Sequence, residues 1–432
     1  MDSMANAELT APAAAGRSLE LSWLPPIGMI GLSFANFVYR LMTLGIYDFW
    51  ARTEVRKRLW SAIRLNGEPL AYTGTGKELF LGFIIVFGVI LLPMLLFMVA
   101  VAIAFAPGSQ IVELVSLAFY VAIFLLIGVG IYRAQRYRLL RTNWRGIRGS
   151  LAGNSWNYGW TYFWTILLIP ITLGWIIPWR TTKLQSMITN HAMFGDRTFS
   201  FKGDSGPLYV PFAIMWCGVC AILIAGILAI GAVMASLHSS FGPDGLTPDG
   251  QLKPEVAQMI TLGVLPVIAV AYLLYLLISA WYRARTINYF AGCTHFEGAQ
   301  FKGTATGAGL LWIDMTNILI LMAGVLILMI FVILLISLIA TAAVSLVGQP
   351  LASILGPDFR TQIAAISVPI LIFILALSFT LFLPVTQARS MGYLISHLSI
   401  NGPVPLDQIA QSEAAQMSTG EGLAQAFDVD AF

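Results

Sequence analysis

Six long apolar runs constrain this chain more than any other feature: Leu79–Ala106, Ile111–Tyr132, Tyr209–Leu237, Val256–Tyr282, Asn317–Val347 and Ile363–Leu383. Each reaches the roughly 20 residues that carry a helix across bilayer hydrocarbon. No water is present there, so a spanning segment satisfies its own backbone, as a helix or as a strand of a closed barrel. The runs lack the period-two alternation of barrel strands, which leaves helices. Composition agrees: 58% of the 432 residues are hydrophobic and 10% are charged, whereas soluble domains are about one quarter charged. The expected fold is an all-α polytopic membrane protein.

An internal repeat organises the runs. Five segments share an aromatic residue or helix end, a basic helical stretch and a glycine sixteen to eighteen residues on. They begin at Trp50 (WARTEVRKRLWSAIRLNG), Tyr132 (YRAQRYRLLRTNWRGIRG), Trp179 (WRTTKLQSMITNHAMFG), Tyr282 (YRARTINYFAGCTHFEG) and Pro384 (PVTQARSMGYLISHLSING). Repeats at this scale reveal architecture. Of 24 Lys and Arg, only Lys253 and Arg360 fall in the linkers Pro107–Gln110, His238–Glu255 and Gly348–Gln362. Basic residues near helix ends mark the cytoplasmic face, so the five segments are expected inside and the linkers outside.

Two further apolar stretches, Ile27–Tyr47 and Tyr158–Pro178, each contain Thr-Leu-Gly, at Thr43–Gly45 and Thr172–Gly174. Full spanning by both would put the segments at Trp179 and Tyr282 on the face opposite those at Trp50 and Tyr132. They are therefore expected to re-enter, with breaks at Gly45, Pro170, Gly174 and Pro178, broken backbone being tolerated at depth when buried in protein or beside water. The alternative is eight full spans. The expected domains are a disordered tail over 1–24, a transmembrane domain over 25–401 with repeat units of about 25–150, 151–305 and 306–401, and an acidic tail over 402–432. The N-terminus, with Asp2 and Glu8 and no early apolar core, does not read as a cleaved signal.

Asn36, TLGIYDFWARTEVRKRLW, Gly67, YTGTGKELFLGF, YRAQRY and YRARTINYF together resemble the YjgN-like proteins, a bacterial inner-membrane family of unknown function. The resemblance runs from about Asn36 to about Ile409 and implies a multi-pass inner-membrane protein, for which the charge pattern puts both termini in the cytoplasm. No activity, cofactor or substrate comes with it. The chain departs from the family in lacking Thr-Leu-Gly in its third unit and in carrying Arg40 within the first apolar segment.

Arg40 is the ionisable residue set deepest in an apolar segment, and Asn36 precedes it by one helical turn. Such residues usually face a bundle interior or a wet cavity. The sequence thus nominates a polar pathway of Asn36, Arg40 and Asn317, against the plainer reading that Arg40 snorkels or is satisfied by Asp48. The basic segments supply candidate lipid headgroup contacts at Trp50, Arg52, Arg56, Arg58, Arg133, Arg136, Arg138, Trp179, Arg180, Arg283 and Arg285, a mixture of aromatic and cationic residues suited to an interface with anionic lipid. The plainer reading of these is a topology signal.

His191, His295 and His397 recur at one phase of three segments, but without carboxylate partners they read as interfacial polar positions rather than metal ligands. Cys217-Gly-Val-Cys220 sits in an apolar helix, outside the setting that makes such a pair redox-active. G-x-S-x-G, Walker and H-E-x-x-H motifs are absent. The sequence expectation is a non-enzyme without metal or cofactor: a transporter or channel-like protein for an anionic or lipid-like solute, or a lipid-binding scaffold. Its expected partners are membrane lipids and another copy of the chain, with no nucleic acid and no identifiable protein partner.

Overall fold

The computed structural model describes residues 17–106, 108–241, 253–347 and 380–411. Among them, five helices are long and apolar enough to cross a membrane: Gly76–Ala104, Gln110–Leu140, Gly206–Ser240, Val256–Cys293 and Gly307–Leu334. Their outward faces expose Leu96, Ile227, Leu262 and Leu334, an apolar surface fit for lipid rather than water. The chain is thus a helical membrane protein. The sixth run, Ile363–Leu383, lies outside the described residues except for its last four positions.

The all-α expectation needs correction, because the basic segments do not end as helices. Four pass into a β-hairpin, β3 (Ile63–Leu65) with β4 (Glu68–Pro69), β6 (Thr142–Trp144) with β7 (Ile147–Leu151), β8 (Ala192–Phe194) with β9 (Arg197–Phe201) and β10 (Thr294–Phe296) with β11 (Ala299–Gly303), and the fifth into β12 (Leu398–Asn401) and then β13 (Pro403–Val404), which pair with other strands. The glycine closing each segment lies at the turn between its two strands, except that Gly146 takes that place rather than Gly149.

With β1 (Arg17–Ser18), β2 (Leu21–Trp23) and β5 (Ala71–Tyr72), these strands form a closed circuit. One antiparallel sheet runs from β5 to β12 in chain order. β13 then pairs with β1, and β1 leads into β2. β2 pairs with β3, β3 pairs with β4, and β4 runs into β5. Trp144, Phe296, Ala299, Val404 and Ile409 fill one core with Leu19, and Leu65, Phe194 and Ile400 pack against them, so each of the five basic segments leads to a strand that contributes a side chain.

The tail boundaries at 24 and 402 therefore move. Arg17–Trp23 adds two strands, and β13 with the short turn of helix Leu406–Gln408 seals the same core. Strands of two to five residues cannot show a clear period, which is why they pass for helix ends.

This collar anchors every helical excursion. α1 (Met29–Met42) and α2 (Asp48–Ala62) leave from β2 and return to β3, where Trp23 pairs with Ile63 and the Leu24 amide donates to the Ala62 carbonyl at 2.9 Å. α3 (Gly76–Val86), α4 (Leu92–Ala104) and α5 (Gln110–Leu140) rise from β5 and return to its neighbour β6. α6 (Ser155–Ile171) and α7 (Ile177–Thr189) connect β7 to β8, with Leu151 opposite Ala192. α8 (Gly206–Phe241) and α9 (Pro254–Cys293) connect β9 to β10. α10 (Gly307–Val347) leaves from β11, and α11 (Leu383–Ser396) returns to its partner β12.

The two Thr-Leu-Gly turns are built alike. Thr43 Oγ1 donates to the Tyr39 carbonyl (2.7 Å) and accepts from the Tyr47 amide (3.0 Å); Thr172 does the same with Leu168 (2.7 Å) and Ile176 (3.3 Å). The Gly45 amide reaches back to the Arg40 carbonyl, and that of Gly174 to Ile169, both at 2.7 Å, a helix-terminating pattern whose second residue past the cap is glycine. Gly45 and Gly174 have φ of 92° and 86°, while Leu44 and Leu173 sit at φ 50°, the left-handed region that costs a branched residue about 1 kcal/mol. Both leucines point outward, 78% and 70% exposed. The helices entering the turns have 14 and 17 residues, about 21 and 25 Å long, short of a roughly 30 Å hydrocarbon core.

Candidate functional site: an arginine-lined cavity

The end of α1 and the start of α2 bring charge into the interior. Arg40 stands five residues before Gly45 and Asp48 three after it, so the turn folds them face to face: Arg40 Nη2 lies 2.7 Å from Asp48 Oδ1. Arg52, one turn along α2, holds the other oxygen at 2.5 Å. The Arg40 side chain is 6% exposed and that of Asp48 is 25% exposed. Arg40 Nη1 also reaches the Thr380 carbonyl at 3.5 Å.

A cavity of about 610 Å³ opens beside this pair, between α1–α2 and α11. Its polar lining includes Arg40, Asp48, Arg52, Arg56, Arg138 from α5, Asn317 from α10 and, at and before α11, Thr380, Thr386, Gln387 and Ser390. Four guanidinium groups and one carboxylate are among the lining groups. Leu59, Leu383, Met391 and Leu394 supply an apolar wall. Asn317 Nδ2 donates to Ser390 Oγ at 2.9 Å, while its buried Oδ1 has no hydrogen-bond partner among the described residues. α2 runs 15 residues from Asp48 to the collar, which places the ion pair about 20 Å from the strands.

The family described as "Bacterial protein of unknown function (DUF898)" matches residues 28–426, from the residue before α1 to beyond the last strand. The chain belongs to the DUF898 family. The inner membrane protein YjgN of Salmonella typhimurium is 38% identical over 56 residues, 13% of this chain. The match spans 14% of that relative's length. No solved structure matches this DUF898 chain.

Of the nominated pathway, the cavity brings together Arg40 and Asn317. Asn36 lies one turn earlier on α1, 1% exposed and outside the lining, with neither amide atom hydrogen-bonded among the described residues. Among the nominated headgroup contacts, Arg52, Arg56 and Arg138 turn inward to the cavity. Others tie the DUF898 chain to itself: Arg58 donates to the Ile27 and Gly28 carbonyls at 3.1 and 2.9 Å, Arg136 to those of Leu151 and Gly153 at 3.0 and 2.5 Å, and Arg133 to Ser155 Oγ at 3.5 Å.

Arg180 donates to Thr165 Oγ1 (3.2 Å) and lies over the Tyr162 ring, Arg283 pairs with Asp314 at 2.6 Å, and Arg285 covers the Trp281 ring. Trp50 packs against Tyr47 and Phe80, whereas Trp179 is exposed. His191, His295 and His397 each hold a backbone carbonyl through Nδ1, those of Met187, Cys293 and Tyr393. Among the described residues no three His, Cys, Asp or Glu side chains gather as a metal site.

Proposed function

We propose that this chain is a transporter or channel-like protein of the bacterial inner membrane for an anionic or lipid-like solute. The observation that carries the proposal is the cavity whose deep end holds the Arg40–Asp48 pair, about 20 Å from the collar, and whose lining continues through Arg52, Arg56 and Arg138 toward the strands. Charge at that depth is costly and typically marks a pathway. The volume falls within the roughly 300–1,000 Å³ of ligand pockets.

The proposal sets the collar, with its basic segments, in the cytoplasm and both tails beside it. The two Thr-Leu-Gly hairpins then re-enter from that side, supported by the pairing of their ends on adjacent strands and by apolar tips at Met42, Leu44, Ile46, Ile171 and Leu173. The three repeat units become α1–α5, α6–α9 and α10–α11, and broken helices within repeats are a recurrent setting for transport sites. No chemical step is proposed: Asp48 is engaged by two arginines, as a counter-ion is.

A lipid-binding scaffold without transport is the second reading, favoured by the exposed Trp156, Trp160, Trp164 and Trp179 on α6 and α7, a composition suited to headgroup contact. Proteoliposomes decide between the two, with movement of a fluorescent-headgroup phospholipid and efflux of a small organic anion as readouts. Loss of either movement in Arg40→Leu, with retention in Arg283→Gln, supports transport. No protein-dependent movement of either probe overturns it.

A further inference from the structure

We infer that a second cleft, where α8 and α10 rise from the collar beside α9, holds the phosphate of an anionic phospholipid. It lies outside the arginine-lined cavity and stands whether or not that cavity transports anything.

The cleft has a volume of about 500 Å³ and is bounded by the first turns of α8 and α10 and the last third of α9. Its depth follows from the exposed apolar surface. On α8 the first exposed large apolar side chain is Val210, and on α9 the last is Leu277. Pro207, Pro211, Trp281 and Arg285, which line the cleft, therefore straddle the border where lipid-facing helix gives way to collar. Length agrees: α8 and α9 have 36 and 40 residues, about 54 and 60 Å, well beyond a roughly 30 Å hydrocarbon core. Their collar ends are left at headgroup depth.

The walls are apolar and held in place. Leu208 and Ala284, 2% and 4% exposed, join Pro207 and Pro211 in the lining. Asn288 Nδ2 donates to the Ala305 carbonyl at 2.7 Å while its Oδ1 accepts from the Ala305 amide at 2.9 Å, which ties the approach to α10 onto α9. Tyr289 Oη donates to the Asp204 carbonyl at 2.7 Å and accepts from the Asp204 amide at 3.0 Å, which ties down the approach to α8. The cleft is thus preformed, and the two polar side chains that shape it are satisfied inside the protein.

Arg285 is the polar side chain left to meet an occupant. It follows Trp281 by one turn, and its guanidinium carbon lies 4.7 Å from the centroid of the Trp281 ring. Among the described residues it makes no hydrogen bond or ion pair, and none of them lines the cleft with a carboxylate. A guanidinium laid over a ring keeps its in-plane N–H donors, a fork that fits two oxygens of a phosphate. With no acid in the lining to receive the ammonium of a zwitterionic headgroup, a headgroup of net negative charge fits better. The apolar lining beside the fork takes the glycerol and the first methylenes of the chains.

The test follows alkylation of the Pro207→Cys thiol by a water-soluble maleimide, in the full chain with Cys217, Cys220 and Cys293 replaced and in a detergent with a neutral headgroup. Pro207 is exposed, lines the cleft and sits in the first turn of α8, where loss of the ring breaks no helix hydrogen bond. Short-chain phosphatidylglycerol at saturation should slow the reaction about fivefold or more. Phosphatidylcholine of the same chain length, glycerol phosphate, inorganic phosphate and laurate should each slow it by less than about twofold at the same concentration. Arg285→Gln, checked for native size and helicity, abolishes the protection; Arg285→Lys keeps part of it; Lys57→Gln, exposed on α2 away from the cleft, leaves it unchanged.

Equal protection by inorganic phosphate or glycerol phosphate overturns the lipid and assigns the cleft to a soluble phosphate. Equal protection by phosphatidylcholine overturns the anionic headgroup, and equal protection by laurate overturns the phosphate. Protection that survives in Arg285→Gln, or no protection by any lipid, overturns the site. Transport is read separately through Arg40→Leu, so its failure leaves this inference standing, and failure here leaves the transport proposal standing.

Discussion

Removing Asp48 should destabilise the protein more than removing Arg40, although the two form one ion pair. Taking one partner from a buried pair costs about 3–5 kcal/mol, because the other charge is left in a poor solvent. Asp48→Asn leaves Arg40, 6% exposed, and Arg52 without the carboxylate that both contact at 2.7 and 2.5 Å. With Asp48 itself 25% exposed, some solvent reaches the pair, and about 2–3 kcal/mol is the discounted expectation.

Arg40→Met removes the deeper charge, while Asp48 keeps Arg52 and its partial exposure, so the cost falls to about 1 kcal/mol. The double variant should cost less than the sum of the two by about 1 kcal/mol or more. Reversible unfolding in mixed micelles, titrated with a denaturing detergent, measures all three. A larger loss for Arg40→Met than for Asp48→Asn, or additivity within about 0.5 kcal/mol, would refute this account of the pair.

A single cysteine at Ser205, in a chain with Cys217, Cys220 and Cys293 replaced, should react only with a reagent on the cytoplasmic side, since Ser205 lies between β9 and α8 on the collar; labelling from outside would restore the eight-span alternative. Gly45→Ala should cost about 1–2 kcal/mol through its φ of 92° alone, whereas Gly226→Ala, equally free of neighbours but without positive φ, should not destabilise; equal midpoints for the two would refute the strain. Gly159→Ala should cost about 2 kcal/mol, because an added Cβ would meet Val129 Cγ2 at 2.5 Å and its backbone nitrogen at 3.0 Å where α6 crosses α5; unchanged unfolding would show that the helices can part.

The Glu68 carboxyl in the collar is held below its ordinary 4.5 by the hydrogen bond from Arg145, which joins the first two hairpins at 2.6 and 2.8 Å. A depressed folded-state value contributes stability above the unfolded pKa and loses it as pH falls through the folded one. The unfolding midpoint should therefore drop on acidification below about 4.5, and Glu68→Gln should flatten that part of the profile; an unaltered profile would exclude the pair as a cause.

The long helices are legible because twenty apolar residues in a row leave few alternatives, and Arg40 stands out in such a row for the same reason. The collar is illegible because a three-residue strand such as Ile63–Leu65 shows no period, and because its partners are set by the closing of helical excursions tens of residues long. That Arg52, Arg56 and Arg138 line one cavity is illegible on similar grounds. Spacing puts Arg52 and Arg56 on one face of α2, but nothing local says that this face looks inward, or that Arg138, from a helix far along the chain, will meet it.

The second Thr-Leu-Gly hairpin sharpens the point. Its turn repeats the first bond for bond, yet the position matching Arg40, five before the glycine, is Ile169, and the position matching Asp48, three after it, is Ile177. Two identical turns thus show that the backbone needs neither charge. Natural sequences break local consistency chiefly where function requires it. The costly pair in the first hairpin is such a break, and aligning the two Thr-Leu-Gly segments sets Arg40 and Asp48 together against Ile169 and Ile177.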